Sequence, residues 1–195
     1  MKLKKKMKVI ILTKKCPLSI YDTIERMLIE EEGLYLKQYK CSKGFSTIGV
    51  GRAETKGLSS EERNILKVNS FYDLKTITKK NAMMLLENDI NYFYNELCKE
   101  FYYFEHSEKF IKILMLDLAF NIGINGLKKF KQMLKYCKPE NVDYCEIWLN
   151  LTDSKHFQDV KGRNIRLGVY VLTGEILDLE YCRKFYAVLE KRINK

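Results

Sequence analysis

The stretch Ile111–Phe120, IKILMLDLAF, constrains the fold most. It is strongly apolar, and a helix apolar on every side must be wrapped by other elements. It therefore predicts a central core helix. A chain of 195 residues with 46% hydrophobic residues has enough material to enclose it, as one domain or as two lobes sharing a core. Scarce glycine (10) and proline (2) exclude collagenous and low-complexity architectures.

Around that helix the periodicity changes along the chain. Ile20, Ile24, Met27 and Leu28 recur at helical spacing and predict a first helix over Ser19–Glu31, capped by Ser19 or Asp22 and ended by Gly33. Leu34–Gly51 alternates around a Ser42-Lys43-Gly44 turn signal, which predicts an antiparallel hairpin or three-strand sheet. Gly49 and Gly51 around Val50 mark a tight turn or a close backbone approach. Ser59 and Glu62 form a Ser-x-x-Glu start for a short helix to Lys67, and Thr78 caps a long one, Lys79 to about Lys99. Gly123 and Gly126 mark a break. Helices are then expected over Leu127–Cys137, Val142–Leu149, Arg163–Leu172 and Tyr181–Arg192.

The formal net charge of +10 favours a polyanionic partner: nucleic acid, anionic lipid or cell-wall polymer. Charge alone does not choose among them, although no recognised nucleic-acid motif is present. The six cysteines form no CxxC pair and have no zinc-ligand spacing. Mostly reduced thiols and no metal are expected. At the N-terminus, the apolar run Val9–Leu12 is broken by Lys14 and Lys15, too short for a signal peptide or a spanning helix. No signal peptide and no transmembrane segment are expected.

Glu32 falls at the C-terminal end of the first helix. There the macrodipole disfavours negative charge and should raise a carboxyl pKa. Glycoside cleavage needs such an acid, and a second group to present water, or itself, to the anomeric carbon. On composition alone, Glu32 is equally the last of three surface glutamates.

The context of Glu32 is more specific. Residues 25–52, ERMLIEEEGLYLKQYKCSKGFSTIGVGR, resemble the N-terminal motif of the phage-type lysozymes, glycoside hydrolase family 24. That motif is a glutamate, eight residues, an aspartate or sometimes a cysteine, five residues, then a threonine. Here it gives Glu32, Cys41 and Thr47. Residues 77–90 resemble the family's interlobe helix, 118–130 its buried helix and following turn, and 162–174 a late segment whose arginines face the active site.

The resemblance implies an α+β lysozyme-like fold. A small N-terminal lobe with a short antiparallel sheet (22–77), a connecting helix (78–99) and a larger all-helical lobe (100–195) would follow a basic extension, 1–21. It implies Glu32 as general acid, Cys41 in the place of the carboxylate that directs water, and Thr47 as the residue holding that water. Arg163 would pair with Glu32. Phe120, Ala53, Met133 and Asn150 fall on sugar-contact positions, Phe120 being equally a core residue.

Three departures stand out. Cys41 replaces the commoner aspartate, and Lys40 and Lys43 could depress its pKa. Arg52 replaces a usual histidine, which removes a histidine-based structural ion pair and is expected to weaken the small lobe. His156 stands where a member of the family has tryptophan.

The expected activity is a cofactor-free muramidase acting on peptidoglycan as a monomer, made in the cytoplasm and reaching the wall after release. A wall-binding module that has lost turnover, and a basic nucleic-acid binder, are the competing readings.

Overall fold

The computed structural model describes residues 15–154, 161–175, 177 and 179–193. The basic segment 1–14 and His156 lie outside them. Helix α1 spans Leu18–Glu32 and buries Ile20, Ile24, Met27 and Leu28, the periodic positions of the sequence. Its start differs from expectation. Pro17 is the N-cap, its φ of −55° already set for the turn, and no side chain caps the helix. The Pro17 carbonyl accepts the N–H groups of Ile20 and Tyr21, both at 2.9 Å. The packed chain thus begins ahead of residue 22. Cys16 is itself buried, and its N–H donates to Asn91 Oδ1 at 2.9 Å.

Strands β1 (Tyr35–Lys40), β2 (Ser46–Gly49) and β3 (Arg52–Ala53) form one antiparallel sheet in that order. The turn between β1 and β2 is closed by Gly44 N–H donating to the Cys41 carbonyl at 2.8 Å, and by Cys41 N–H donating to Phe45 O at 3.0 Å. Beneath the sheet, Ile48, Phe71 and Leu74 make a small core. Helix α2 (Ser60–Leu66) starts behind the Ser59–Glu62 capping box that its sequence predicts.

Helix α3 (Lys79–Glu100) leaves this small lobe from its Thr78 cap. It packs against α4 (Lys109–Leu127), the central helix, which also touches α1 and α7 (Lys161–Thr173). α4 is long and apolar enough to cross a membrane, yet here it is the core. Ile111, Ile113, Leu114 and Leu118 are fully buried in it, each such side chain contributing about 1.5–3 kcal/mol. Gly123, at φ 72°, breaks its helical geometry, whereas Gly126 does not. α5 (Lys131–Tyr136), α6 (Tyr144–Thr152) and α8 (Leu179–Ile193) complete the helical lobe. α6 starts two residues later than expected because Asp143 caps it, accepting from Glu146 N–H at 3.0 Å. The result is the lysozyme-like α+β architecture.

At position 52 there is no histidine-based pair, but the guanidinium makes ion pairs of its own. Buried Arg52 pairs with Asp89 of α3 and, at 2.7 Å, with Glu62 of α2. Its Nε and Nη2 donate to the Gly57 carbonyl at 3.1 and 2.9 Å. Lys56 also pairs with Asp89 and lies over the rings of Tyr92 and Phe93, 4.9 and 4.6 Å from their centroids. Two cations and two carboxylates therefore tie the sheet to α2 and α3.

Candidate active site

Glu32 ends α1, and its side chain is 27% exposed, within reach of solvent and of a ligand. Two features hold it. Gly51, at φ 65°, follows β2, and a Cβ there would lie 3.1 Å from the Glu32 carboxyl carbon. The close approach read from the glycine spacing is therefore onto this carboxylate. From the other side, Arg163 of α7 donates through Nη1 to Glu32 Oε1. Arg163 is buried and also bound by Asp117 of α4: Nε to Oδ2 at 3.1 Å and Nη2 to Oδ1 at 3.0 Å. Burial opposes its charge, but the Asp117 and Glu32 carboxylates outweigh that and raise its pKa. One turn along α7, Arg166 pairs with Glu31 at 2.6 Å.

The sheet carries other predicted residues. Thr47 is buried in β2, with Tyr39 of β1 and Ala53 of β3 as its cross-strand partners. Partners in register share a face, so Tyr39, Thr47 and Ala53 line up across the sheet. Cys41 follows at the end of β1, partly exposed. Desolvation would raise its thiol pKa, but hydrogen bonds from the Lys43 and Phe45 backbone and from the Thr47 hydroxyl hold it below the usual thiol value. The two lysines expected to do this are not its leading cause; the Lys40 ammonium donates to Ser46 Oγ instead, at 2.8 Å. Thr47 Oγ1 lies 3.1 Å from the Phe45 carbonyl, so its single proton serves that oxygen or the thiolate.

Tyr39 responds to the charge of both Glu32 and Cys41. Desolvation, then the charges of Glu32, Tyr35 and Cys41, push its phenol pKa up. Its hydroxyl therefore stands within electrostatic reach of both the carboxylate and the thiol. Its ring packs on Tyr35, with centroids 4.6 Å apart.

The surface also opens into a groove of about 860 Å³ that Lys43, but not Glu32, Cys41 or Thr47, lines, a size suited to a small ligand or a length of chain. Met133 and Asn150, two of the sequence-predicted contact residues, line it together with Lys43 from the β1–β2 turn. Phe120 and Ala53 do not. Phe120 packs on Phe93, centroids 5.9 Å apart, against the main core, while its neighbour Asn121 lines the groove.

Sequence reasoning missed Asp117 and Tyr39. Asp117 carried a usable signal, being an acidic residue inside the most apolar segment, where a charge needs a partner. Tyr39 carried none, because it is one of 13 tyrosines.

Comparison with known proteins agrees with this geometry. Over 164 residues the chain is 26% identical to the pre-baseplate central spike protein Gp5 of Enterobacteria phage T4. That match covers 79% of this chain but 28% of the relative, so the chain spans little more than a quarter of that protein's length. The family model described as phage lysozyme matches residues 29–162, well over half of the sequence, and the chain belongs to the phage lysozyme family.

Proposed function

We propose that this chain is a muramidase that hydrolyses the β-1,4 bond between N-acetylmuramic acid and N-acetylglucosamine in peptidoglycan. The observation that carries the reading is Glu32, a reachable carboxyl at the end of α1 gripped by a buried arginine. Peptidoglycan as substrate follows from the family. The endolysin role, release from the cytoplasm to the wall, and action as a monomer are parts of the same proposal.

Glu32 gives its proton to the glycosidic oxygen as the bond to the anomeric carbon breaks. Asp117 already balances the Arg163 charge, so the Arg163 hydrogen bond orients the Glu32 carboxyl instead of simply neutralising it. Cys41 and Thr47 hold a water that attacks the anomeric carbon from the opposite face. The water's proton passes to the thiolate, and the product has inverted configuration. If the Cys41 thiolate attacked directly, a glycosyl–sulfur bond would form and water would later cleave it with retention. Proton NMR of the first-formed anomer separates the routes: an α product supports directed water, a β product the thioether.

Purified protein mixed with peptidoglycan, with turbidity followed over time, tests the reading. Clearing by the wild type and its loss in Glu32→Gln are expected. Cys41 in place of the commoner aspartate favours a second reading, a wall-binding module without turnover. In that case wild type, Glu32→Gln and Cys41→Ala would all sediment with wall and none would clear it.

A further inference from the structure

The groove holding Met133 and Asn150 is lined by more cations than a neutral sugar requires. Lys43 reaches it from the small lobe, Lys129 from the link between α4 and α5, and Lys131 from the first residue of α5. All three are exposed, and none has a carboxylate partner among the described residues. Lys128 provides the contrast, since its ammonium pairs with Glu100. No described residue lining the groove is acidic. In the same wall, the Asn121 amide nitrogen is buried and has no hydrogen-bond partner among the described residues. The described lining is thus rich in donors and positive charge. Like charges converging on one concave surface raise its potential and favour an anion there.

We propose that Lys43, Lys129 and Lys131 make the groove selective for glycan whose side peptides carry free carboxylates. This rests on the reading of the chain as a wall hydrolase and adds a substrate preference to it. Amidated side peptides would lose the attraction, while a neutral glycan such as chitin would never have it. Phosphodiesters of wall teichoic acids offer the same charge from another source, so the test must separate the two.

Wall stripped of phosphodiester polymers with hydrofluoric acid is divided, and half is amidated with carbodiimide and ammonia. Co-sedimentation reads binding, and new reducing ends read cleavage. Wild type is expected to bind and cleave the carboxylate form roughly tenfold better than the amidated form, the scale of a few exposed ion pairs. Combined Lys43→Gln, Lys129→Gln and Lys131→Gln should erase that preference. Lys75→Gln, Lys79→Gln and Lys80→Gln remove the same charge from exposed positions outside the groove and should leave it intact. Preference retained in the groove variant overturns the proposal. So does equal behaviour on the two stripped walls with a gain only when teichoic acid is present. Absence of reducing ends from every wall defeats the hydrolase reading instead, while the sedimentation ratio still decides the selectivity.

Discussion

Asp117 grips Arg163 through two hydrogen bonds, at 3.1 and 3.0 Å, and leaves Nη1 to reach Glu32. A buried fork–fork pair fixes the plane of the guanidinium, and so fixes where its third nitrogen points. Arg163→Ala leaves the Asp117 charge buried without its partner, a loss of about 3–5 kcal/mol. Arg163→Lys keeps a charge but not the fork. It should lose less stability in urea titration yet still lose wall clearing. Full activity in Arg163→Lys would show that the orientation of Glu32 does not depend on the fork.

Gly51 makes a second demand on the same carboxylate. An alanine there would carry its Cβ to 3.1 Å from the Glu32 carboxyl carbon, at a φ of 65° that L-residues avoid. The backbone cost alone is about 1–2 kcal/mol. Because Arg163 holds Glu32 from the far side, the carboxyl cannot retreat without breaking that bond. Gly51→Ala should therefore lower clearing more than its melting temperature suggests. Gly57→Ala is the control, with similar φ and open space around it. Equal loss of activity in the two variants would reduce the Gly51 effect to backbone strain.

Much of this was legible before the fold was known. Ile111–Phe120 announced the central helix, and the motif running through Glu32, Cys41 and Thr47 announced the family, because helix periodicity and a long motif are properties of neighbouring residues. What stayed hidden depends on distant pairs. The start of α1 belongs to Pro17 because Ile20 and Tyr21 use its carbonyl, and a hydroxyl at Ser19 looked equally able. The Arg52 cluster brings together residues from β3, α2 and α3, and no local pattern shows that Glu62, legible as a capping residue, also receives the guanidinium. The meeting of Lys43 with Lys129 and Lys131 on one groove is likewise a property of the fold, not of any local pattern.

Cys41 should titrate differently from the buried Cys16 and Cys137. Hydrogen bonds from the Lys43 and Phe45 backbone and from Thr47 stabilise its thiolate against desolvation. Its alkylation by iodoacetamide, followed by peptide mass mapping, should rise with a midpoint below that of an ordinary thiol. Burial pushes Cys16 and Cys137 up to about 12, so they should stay unmodified until the chain unfolds. Thr47→Val removes one donor and should move the Cys41 midpoint upward. A midpoint unchanged in that variant would separate the hydroxyl from the thiol.

The Arg52 cluster sets the response of stability to pH. Burial acts against the Glu62 charge, but hydrogen bonds from Asn88 and Ser59 and the Arg52 ion pair outweigh it and hold its pKa below the ordinary carboxylate value. A carboxyl depressed in the folded state contributes stability above its unfolded pKa of about 4.3, and that contribution is lost as pH falls through the folded value. Urea midpoints should thus drop in acid, and Glu62→Gln should flatten that drop while lowering stability at pH 7. Asp89 shifts the other way: burial, only partly offset by Lys56 and Arg52, raises its pKa. Arg52→His would add a further slope. Two adjacent carboxylates raise an imidazole pKa above its unfolded value of about 6.5. The pair would hold fully below that value and weaken as pH climbs through the folded pKa. Urea midpoints of wild type and Arg52→His, measured from pH 5 to 9, should therefore diverge as pH rises. Parallel curves would mean that the imidazole does not reach Asp89 or Glu62.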